Sequence, residues 1–67
     1  MRLKVNGVEE ELTVSTVSEL LAFQGIDPVA RFVAVAVNGC VVRRSEWSSK
    51  PLGPDDDVEI VRPFSGG

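Results

Sequence analysis

The chain has 67 residues, of which 43% are hydrophobic and 25% are charged, and it carries a formal net charge of −3. A domain this small buries only about 60% of its unfolded surface, so it has little room for a deep pocket with a supporting shell. This size argues against a self-sufficient enzyme and favours a binding module, an inhibitor or a carrier. The acidic balance excludes the basic footprint of a nucleic-acid-binding domain. No apolar run approaches the ~18 residues of a membrane span.

Histidine is absent, and Cys40 is the single cysteine. A histidine-based metal site or general base is therefore excluded, and one cysteine cannot build a zinc cluster. One cysteine cannot form an internal disulfide either, and the polar start "MRLKVNG" lacks the pattern of a signal peptide. We therefore expect a cytoplasmic protein, monomeric when free, with no cofactor of its own.

The N-terminal segment alternates apolar and charged residues up to Asn6-Gly7. Asn-Gly tolerates the positive φ angles of a type I′ turn, so the pattern predicts a hairpin formed by residues 1–5 and 8–14. Three glutamates at positions 9–11 could suggest a metal site. Consecutive strand residues cannot all point to one side, so we interpret them as solvated strand positions.

A short helix is predicted next, over about two turns. Thr16 and Glu19 form a capping box at its start. Gly25 suits the left-handed conformation that ends a helix, and Pro28 prevents continuation. A helix this short is not stable alone, so it must pack on a sheet.

The second half predicts three more strands. Residues 32–37 are apolar on both faces, Asn38-Gly39 signals another hairpin into residues 40–42, and residues 58–62 form the last strand. Residues 43–57 are irregular, with Trp47 at one end of the core. The order indicates an α+β fold, with one helix on a mixed sheet of four to five strands. If the last strand lies between the two hairpins, it can pair parallel with the first. Since a single helix covers only one face, we expect an exposed apolar patch on the other face.

The chain ends in Ser65-Gly66-Gly67 directly after a strand and a proline. A frayed end is the simplest interpretation. However, glycine has no Cβ, so a Gly-Gly end can be threaded through a narrow channel into another enzyme's active site. A carboxylate there becomes reactive once it is adenylated. No phosphate-binding loop occurs, the carboxylates Asp55–Asp57 follow a turn signal, and Cys40 has no cationic neighbour fixed by the sequence. The tail is therefore the candidate site, and we expect Cys40 to be dispensable.

The whole chain resembles the ubiquitin-like, β-grasp family of sulfur carriers, and within it the ThiS carriers of the thiamine pathway. The resemblance lies in "LKVNGVEEE", "TVSELLAFQGIDP", "VAVAVNGCVVRRSEW" and "PDDDVEIVRPFSGG", which span essentially the full length. Cys40 and Asp56 depart mildly from the usual pattern, because a polar residue and a glycine are common at these two positions. Neither departure touches the tail.

This resemblance implies one β-grasp domain over residues 1–67, with 64–67 as a flexible tail. It implies that a ThiF-like enzyme uses ATP and magnesium to adenylate Gly67, and that sulfur from a cysteine desulfurase converts it to a thiocarboxylate for a ThiG-like thiazole synthase. Gly66 and Ser65 would thread the tail. From the predicted apolar patch, rather than from the resemblance, the partner-binding residues would be Phe64, Arg62 and Phe32.

Two other functions share these features. The small subunit of molybdopterin synthase, and carriers for tRNA thiolation or protein modification, have the same fold and Gly-Gly end. A non-covalent interaction module with an incidental tail belongs to a different class.

Overall fold

A computed structural model describes residues 1–27 and 29–62 of the chain. Its strands are β1 (Arg2–Val5), β2 (Val8–Glu11), β3 (Ala34–Val37), β4 (Cys40–Val42) and β5 (Asp57–Val61), with helix α1 (Val17–Phe23) and a 3₁₀ turn (Arg44–Glu46). The strands form one sheet in the order β2-β1-β5-β3-β4. The predicted α+β fold is confirmed, and the last strand lies between the two hairpins.

The sheet is mixed because β5 lies parallel to β1 and antiparallel to β3. The two hairpins, β1–β2 and β3–β4, lie on opposite sides of β5 within the sheet. Both hairpins turn at the predicted Asn-Gly pairs, where Asn6 has φ 52° and Asn38 has φ 51°. Asparagine tolerates this left-handed region better than most residues, so the local sequence directly specifies the two tight turns.

Helix α1 covers one face of the sheet and buries Val17, Leu20 and Leu21 against it. Every second residue of β1, β3 and β5 is buried and points toward this helix. The buried core comprises Leu3, Val5, Leu12, Val17, Leu20, Leu21, Ile26, Val35, Val37, Val42, Trp47, Leu52, Val58 and Ile60. Trp47 is buried as predicted, and its indole Nε1 donates to the carbonyl oxygen of Val42 at 3.0 Å.

The ends of α1 follow the sequence signals. The backbone N–H of Glu19 donates to Thr16 Oγ1 at 3.3 Å, and Glu19 Oε1 accepts from the backbone N–H of Ser15 at 2.6 Å. The glutamate therefore reaches one residue further back than in a standard capping box. At the other end Gly25 takes φ +77°. Ile26 then donates its N–H to the carbonyl of Leu21 and enters the core.

The bounds of four strands differ from the sequence prediction, beginning with β1, which starts at Arg2 rather than at residue 1. β2 ends at Glu11 rather than near residue 14, and β5 spans 57–61 rather than 58–62. β3 begins at Ala34 rather than at residue 32, because Phe32 has φ +63°, which is incompatible with a strand. The 3₁₀ turn at Arg44–Glu46 lies in the segment predicted to be irregular.

Within the described residues, no helix is long and apolar enough to cross a membrane. The side chains in this part of the chain leave no buried nitrogen or oxygen without a hydrogen-bond partner. Among these residues, no buried polar side-chain atom therefore lowers stability by lacking a hydrogen bond.

Candidate functional site: the root of the tail and the outer sheet face

The C-terminal tail begins at the end of the central strand β5. Val61 pairs with Ala34 of β3, and on the other side of β5 the N–H of Ile60 donates to Asn6 Oδ1 at 2.7 Å. The N–H of Asn6 in turn donates to the carbonyl of Val58 at 2.9 Å. The root of the tail, Arg62, therefore follows a strand held from both sides, and its place on the molecule is fixed.

The start of β5 is held by a second hydrogen-bonded cluster. Asp56 Oδ1 accepts from Asn38 Nδ2 at 3.0 Å, and Asp56 Oδ2 accepts from the N–H of Gly53 at 2.7 Å. Asn38 Oδ1 accepts from the N–H of Asp57 at 3.0 Å. Asp56 thus ties the β3–β4 turn to the loop before β5.

The sheet face away from α1, here called the outer face, carries an exposed apolar patch. The patch consists of Ala34, Ala36, Val41 and Val61. In the strand register Ala34 lies opposite Val61, and Ala36 lies opposite Val41. Val41 is 79% exposed and Val61 is 63% exposed. The sequence prediction of an apolar patch on this face is confirmed.

Charged side chains occupy the rest of the outer face. Glu59 lies opposite Ala36, directly beside the patch, and Asp57 lies opposite Lys4. Lys4 also lies opposite Glu9, so it has an acid on each side. Acids outnumber bases in this group, so a partner that covers the outer face would need an apolar surface with basic groups at its edge.

Phe32 and Arg62, two predicted partner-binding residues, lie near this patch. Phe32 is 79% exposed and lies two residues before Ala34, which pairs with the strand end from which the tail leaves. Arg62 is exposed and immediately follows β5. The other predicted site residues, Phe64, Ser65, Gly66 and Gly67, lie outside the described residues.

The outer-face residues Val41, Val61 and Glu59 were not among the predicted site residues. Strand alternation within β4 and β5 would have placed them on one face, but only the pairing register shows that they adjoin Ala34 and Ala36. Cys40 is exposed at the start of β4. No group of three or more metal-ligating side chains in the described part of the chain could hold a metal ion.

The ThiS family model matches residues 3–67 of the chain. This chain belongs to the ThiS family. The match reaches over nearly the whole length and includes the Gly66-Gly67 end. ThiS proteins are small sulfur carriers of thiamine biosynthesis, and the predicted resemblance to them is confirmed.

Solved structures agree with this membership. The crystal structure of the thiamine biosynthesis protein ThiS from Geobacter metallireducens is 30% identical, with a TM-score of 0.81 and full coverage of both chains. A solution structure of a thiamine biosynthesis protein from the same organism is also 30% identical, with a TM-score of 0.79, and the match covers all of this chain and 88% of that one. None of the curated proteins matches this ThiS-family chain significantly in sequence.

Proposed function

We propose that this chain carries sulfur for thiazole formation as a thiocarboxylate on Gly67, and that it is a substrate of its partner enzymes rather than a catalyst. The observation that carries the proposal is the family match over residues 3–67, which extends through the Gly-Gly end. The fixed root of the tail supports it, because a reactive end must leave the domain at a defined place to enter another active site. The same match favours the thiamine branch over molybdopterin synthase and the other carriers.

The chemistry takes place in two steps. A carboxylate oxygen of Gly67 attacks the α-phosphorus of ATP, which forms an acyl adenylate and releases pyrophosphate. Sulfide (HS⁻) then attacks the carbonyl carbon, the bond from that carbon to the AMP oxygen breaks, and AMP and a proton leave, so that sulfur replaces one carboxylate oxygen. ATP and magnesium are bound by the adenylating enzyme, and this chain supplies the acyl group.

The partners follow from this chemistry. A ThiF-like enzyme activates the carboxylate, a cysteine desulfurase supplies the sulfur as a persulfide from which a thiol reductant releases sulfide, and a ThiG-like thiazole synthase consumes the thiocarboxylate. The outer face is the surface on which we place the adenylating enzyme, because its apolar patch includes Val61, next to the tail root. A thiocarboxylate and a lone exposed thiol, Cys40, suit a reducing compartment, so we place the protein in the cytoplasm.

Deletion of Gly67 tests the proposal. The deletion moves the carboxylate back by up to ~3.6 Å, and a displacement of about 1 Å can already cost a hundredfold in rate. We expect intact-mass spectrometry with ATP, magnesium, a ThiF-like enzyme and sulfide to show conversion of the full chain only. The gain should equal the mass difference between sulfur and oxygen, and it should lie on the C-terminal peptide.

Cys40→Ser is the matched control for the site of sulfur attachment. It should be converted as fast as the unaltered chain, since the proposal places sulfur on the terminal carboxyl group. Equal conversion of the chain lacking Gly67 would contradict attachment at Gly67, whereas no conversion of the unaltered chain would contradict the carrier function and leave a non-covalent interaction module. Loss of conversion in a correctly folded Cys40→Ser variant would instead indicate that the Cys40 thiol carries the sulfur.

A further inference from the structure

Phe32 has an unusual backbone conformation for its residue type. Four non-glycine residues among those described have positive φ angles, namely Asn6, Phe32, Asn38 and Asp55. Asparagine and aspartate enter this region with little cost, whereas a bulky aromatic residue is an outlier there. Phe32 also leaves its side chain 79% exposed, so burial in the core does not compensate for its conformation.

Arg44, the first residue of the 3₁₀ turn, holds the segment before Phe32 in place. The guanidinium group of Arg44 lies over the ring of Trp47, with its Cζ 4.5 Å from the ring centroid. Trp47 is buried, so this stacking fixes Arg44 against the core. Arg44 Nη2 then donates a hydrogen bond to the carbonyl oxygen of Ala30, two residues before Phe32.

Asp27 holds the same segment at its other end. The N–H of Val29 donates to Asp27 Oδ1, and the N–H of Ala30 donates to the carbonyl oxygen of Asp27, both at 2.9 Å. Directly after Phe32, Val33 packs against the core and Ala34 begins β3. Phe32 is therefore presented between two anchored segments, and strain that persists under such constraint often accompanies a binding role.

The length of the tail limits which protein can lie over Phe32. The proposed function places the reacting carboxylate on Gly67, which residues 63–66 separate from Arg62, and the five residues from 63 to 67 span at most about 18 Å. An enzyme that binds this carboxylate must therefore cover the surface around the tail root. That surface includes the end of the sheet where Ala34 pairs with Val61 and where Phe32 is exposed.

We propose that Phe32 anchors the contact with the enzyme that adenylates Gly67, and that Arg44 is a positioning residue that holds Phe32 in place. This inference rests on the proposed function, since it names the same partner. The side chain inserts into an apolar pocket of that enzyme, beside the patch of Ala34, Ala36, Val41 and Val61. A preformed aromatic anchor loses little conformational entropy on binding, which makes it an effective hot spot.

Steady-state adenylation kinetics with a ThiF-like enzyme, ATP and magnesium test the anchor through pyrophosphate release. Phe32→Ala should raise the KM for the carrier about tenfold or more and leave kcat nearly unchanged, because it removes binding and not chemistry. Phe23→Ala is the matched control, since Phe23 is 62% exposed on α1, on the opposite face of the sheet. Its KM should equal that of the unaltered chain.

Phe32→Gly separates binding from folding. Glycine takes a φ near +63° without steric cost, so this variant should melt at a higher temperature than Phe32→Ala while its KM is raised to the same extent. A variant that was merely misfolded would show a lower melting temperature together with the higher KM.

Arg44→Ala tests the positioning role by non-additivity. It should raise KM when Phe32 is present, but it should add nothing to Phe32→Ala in the double variant, because both changes remove the same contact. Additive effects would refute the positioning role. An unchanged KM for Phe32→Ala, with the unaltered chain adenylated normally, would refute the anchor and leave the proposed function standing, whereas no adenylation of the unaltered chain would refute both.

Discussion

At the scale of single residues, two asparagines each form a turn and also join that turn to β5. Asn6 and Asn38 both have the positive φ that their hairpins need. Asn6 Oδ1 accepts from the N–H of Ile60, and Asn38 Oδ1 accepts from the N–H of Asp57. An amide side chain at these positions therefore supplies hydrogen bonds that glycine, which would suit the turn equally well, cannot supply.

Substitutions at Asn6 should separate the two roles. Asn6→Gly keeps the turn but leaves the half-buried N–H of Ile60 without its partner, so the free energy of unfolding should fall by about 1 kcal/mol. Asn6→Asp keeps both the conformation and the acceptor oxygen, and it should stay close to the unaltered chain. Urea unfolding midpoints measure the difference. If the glycine and aspartate variants unfold at the same midpoint, the bond to Ile60 contributes nothing to stability.

At the scale of elements, an ion pair joins the two strands of the β1–β2 hairpin at the end away from its turn. The Met1 ammonium nitrogen lies 2.8 Å from Glu11 Oε2 and donates to the carbonyl oxygen of Leu12 at 2.8 Å. The hydrogen bond and the charge of this ammonium group, with a smaller contribution from Arg2, hold the pKa of Glu11 below its ordinary value of 4.5. The Glu11 side chain is exposed, so the effect on stability is modest and salt-sensitive.

The sign of the pH dependence follows from this lowered pKa. Because Glu11 binds its proton more weakly in the folded state, its contribution to stability is present above the ordinary carboxyl pKa and is lost as the pH falls through the folded value. Between about pH 6 and about pH 3, the melting temperature of Glu11→Gln should therefore fall by less than that of the unaltered chain. Glu9→Gln, which lies on the same strand outside the ion pair with Met1, is the control. An identical pH dependence in Glu11→Gln and in the unaltered chain would contradict this assignment.

At the scale of the whole molecule, the two faces of the sheet differ in burial and in composition. The inner face and α1 form the core, whereas the outer face combines an apolar patch with acidic neighbours next to the tail root. Since the patch contributes little to the core, it can be altered without unfolding the domain. This separation is what allows a small carrier to be both stable and recognised by a partner.

Val41→Lys tests this separation. The side chain is 79% exposed, so the free energy of unfolding should change by no more than about 0.5 kcal/mol. The KM for adenylation should rise, because a charge would be buried in the proposed interface next to basic groups of the partner. Val8→Lys is the control, since Val8 is 60% exposed and lies opposite Val5, on the helix side of the sheet. Equal KM values for the two variants would exclude the patch from the interface.

The sequence by itself determined the elements and their order. The Asn-Gly pairs, the Thr16 and Glu19 signals and the alternation of Leu3 and Val5 act within a few residues, so local chemistry was enough to place both hairpins and the helix. The family resemblance gave the β-grasp arrangement, whereas the conformational freedom of Gly66 and Gly67 had already indicated the candidate site at the end of the chain. Trp47 was identified as a core residue because a large aromatic side chain in a small domain is rarely left exposed.

Only the tertiary structure decided how distant residues meet. The bond from Ile60 to Asn6 joins residues 54 positions apart, and no local pattern encodes such a contact. The patch required the pairing of Ala34 with Val61 and of Ala36 with Val41, which is set by the register of three strands at once. The positive φ of Phe32, which shortens β3, coincides with anchors at Asp27 and Arg44 on separate segments. Propensity favours a strand at an aromatic residue, and here it is overridden next to a segment held by hydrogen bonds from Asp27 and Arg44.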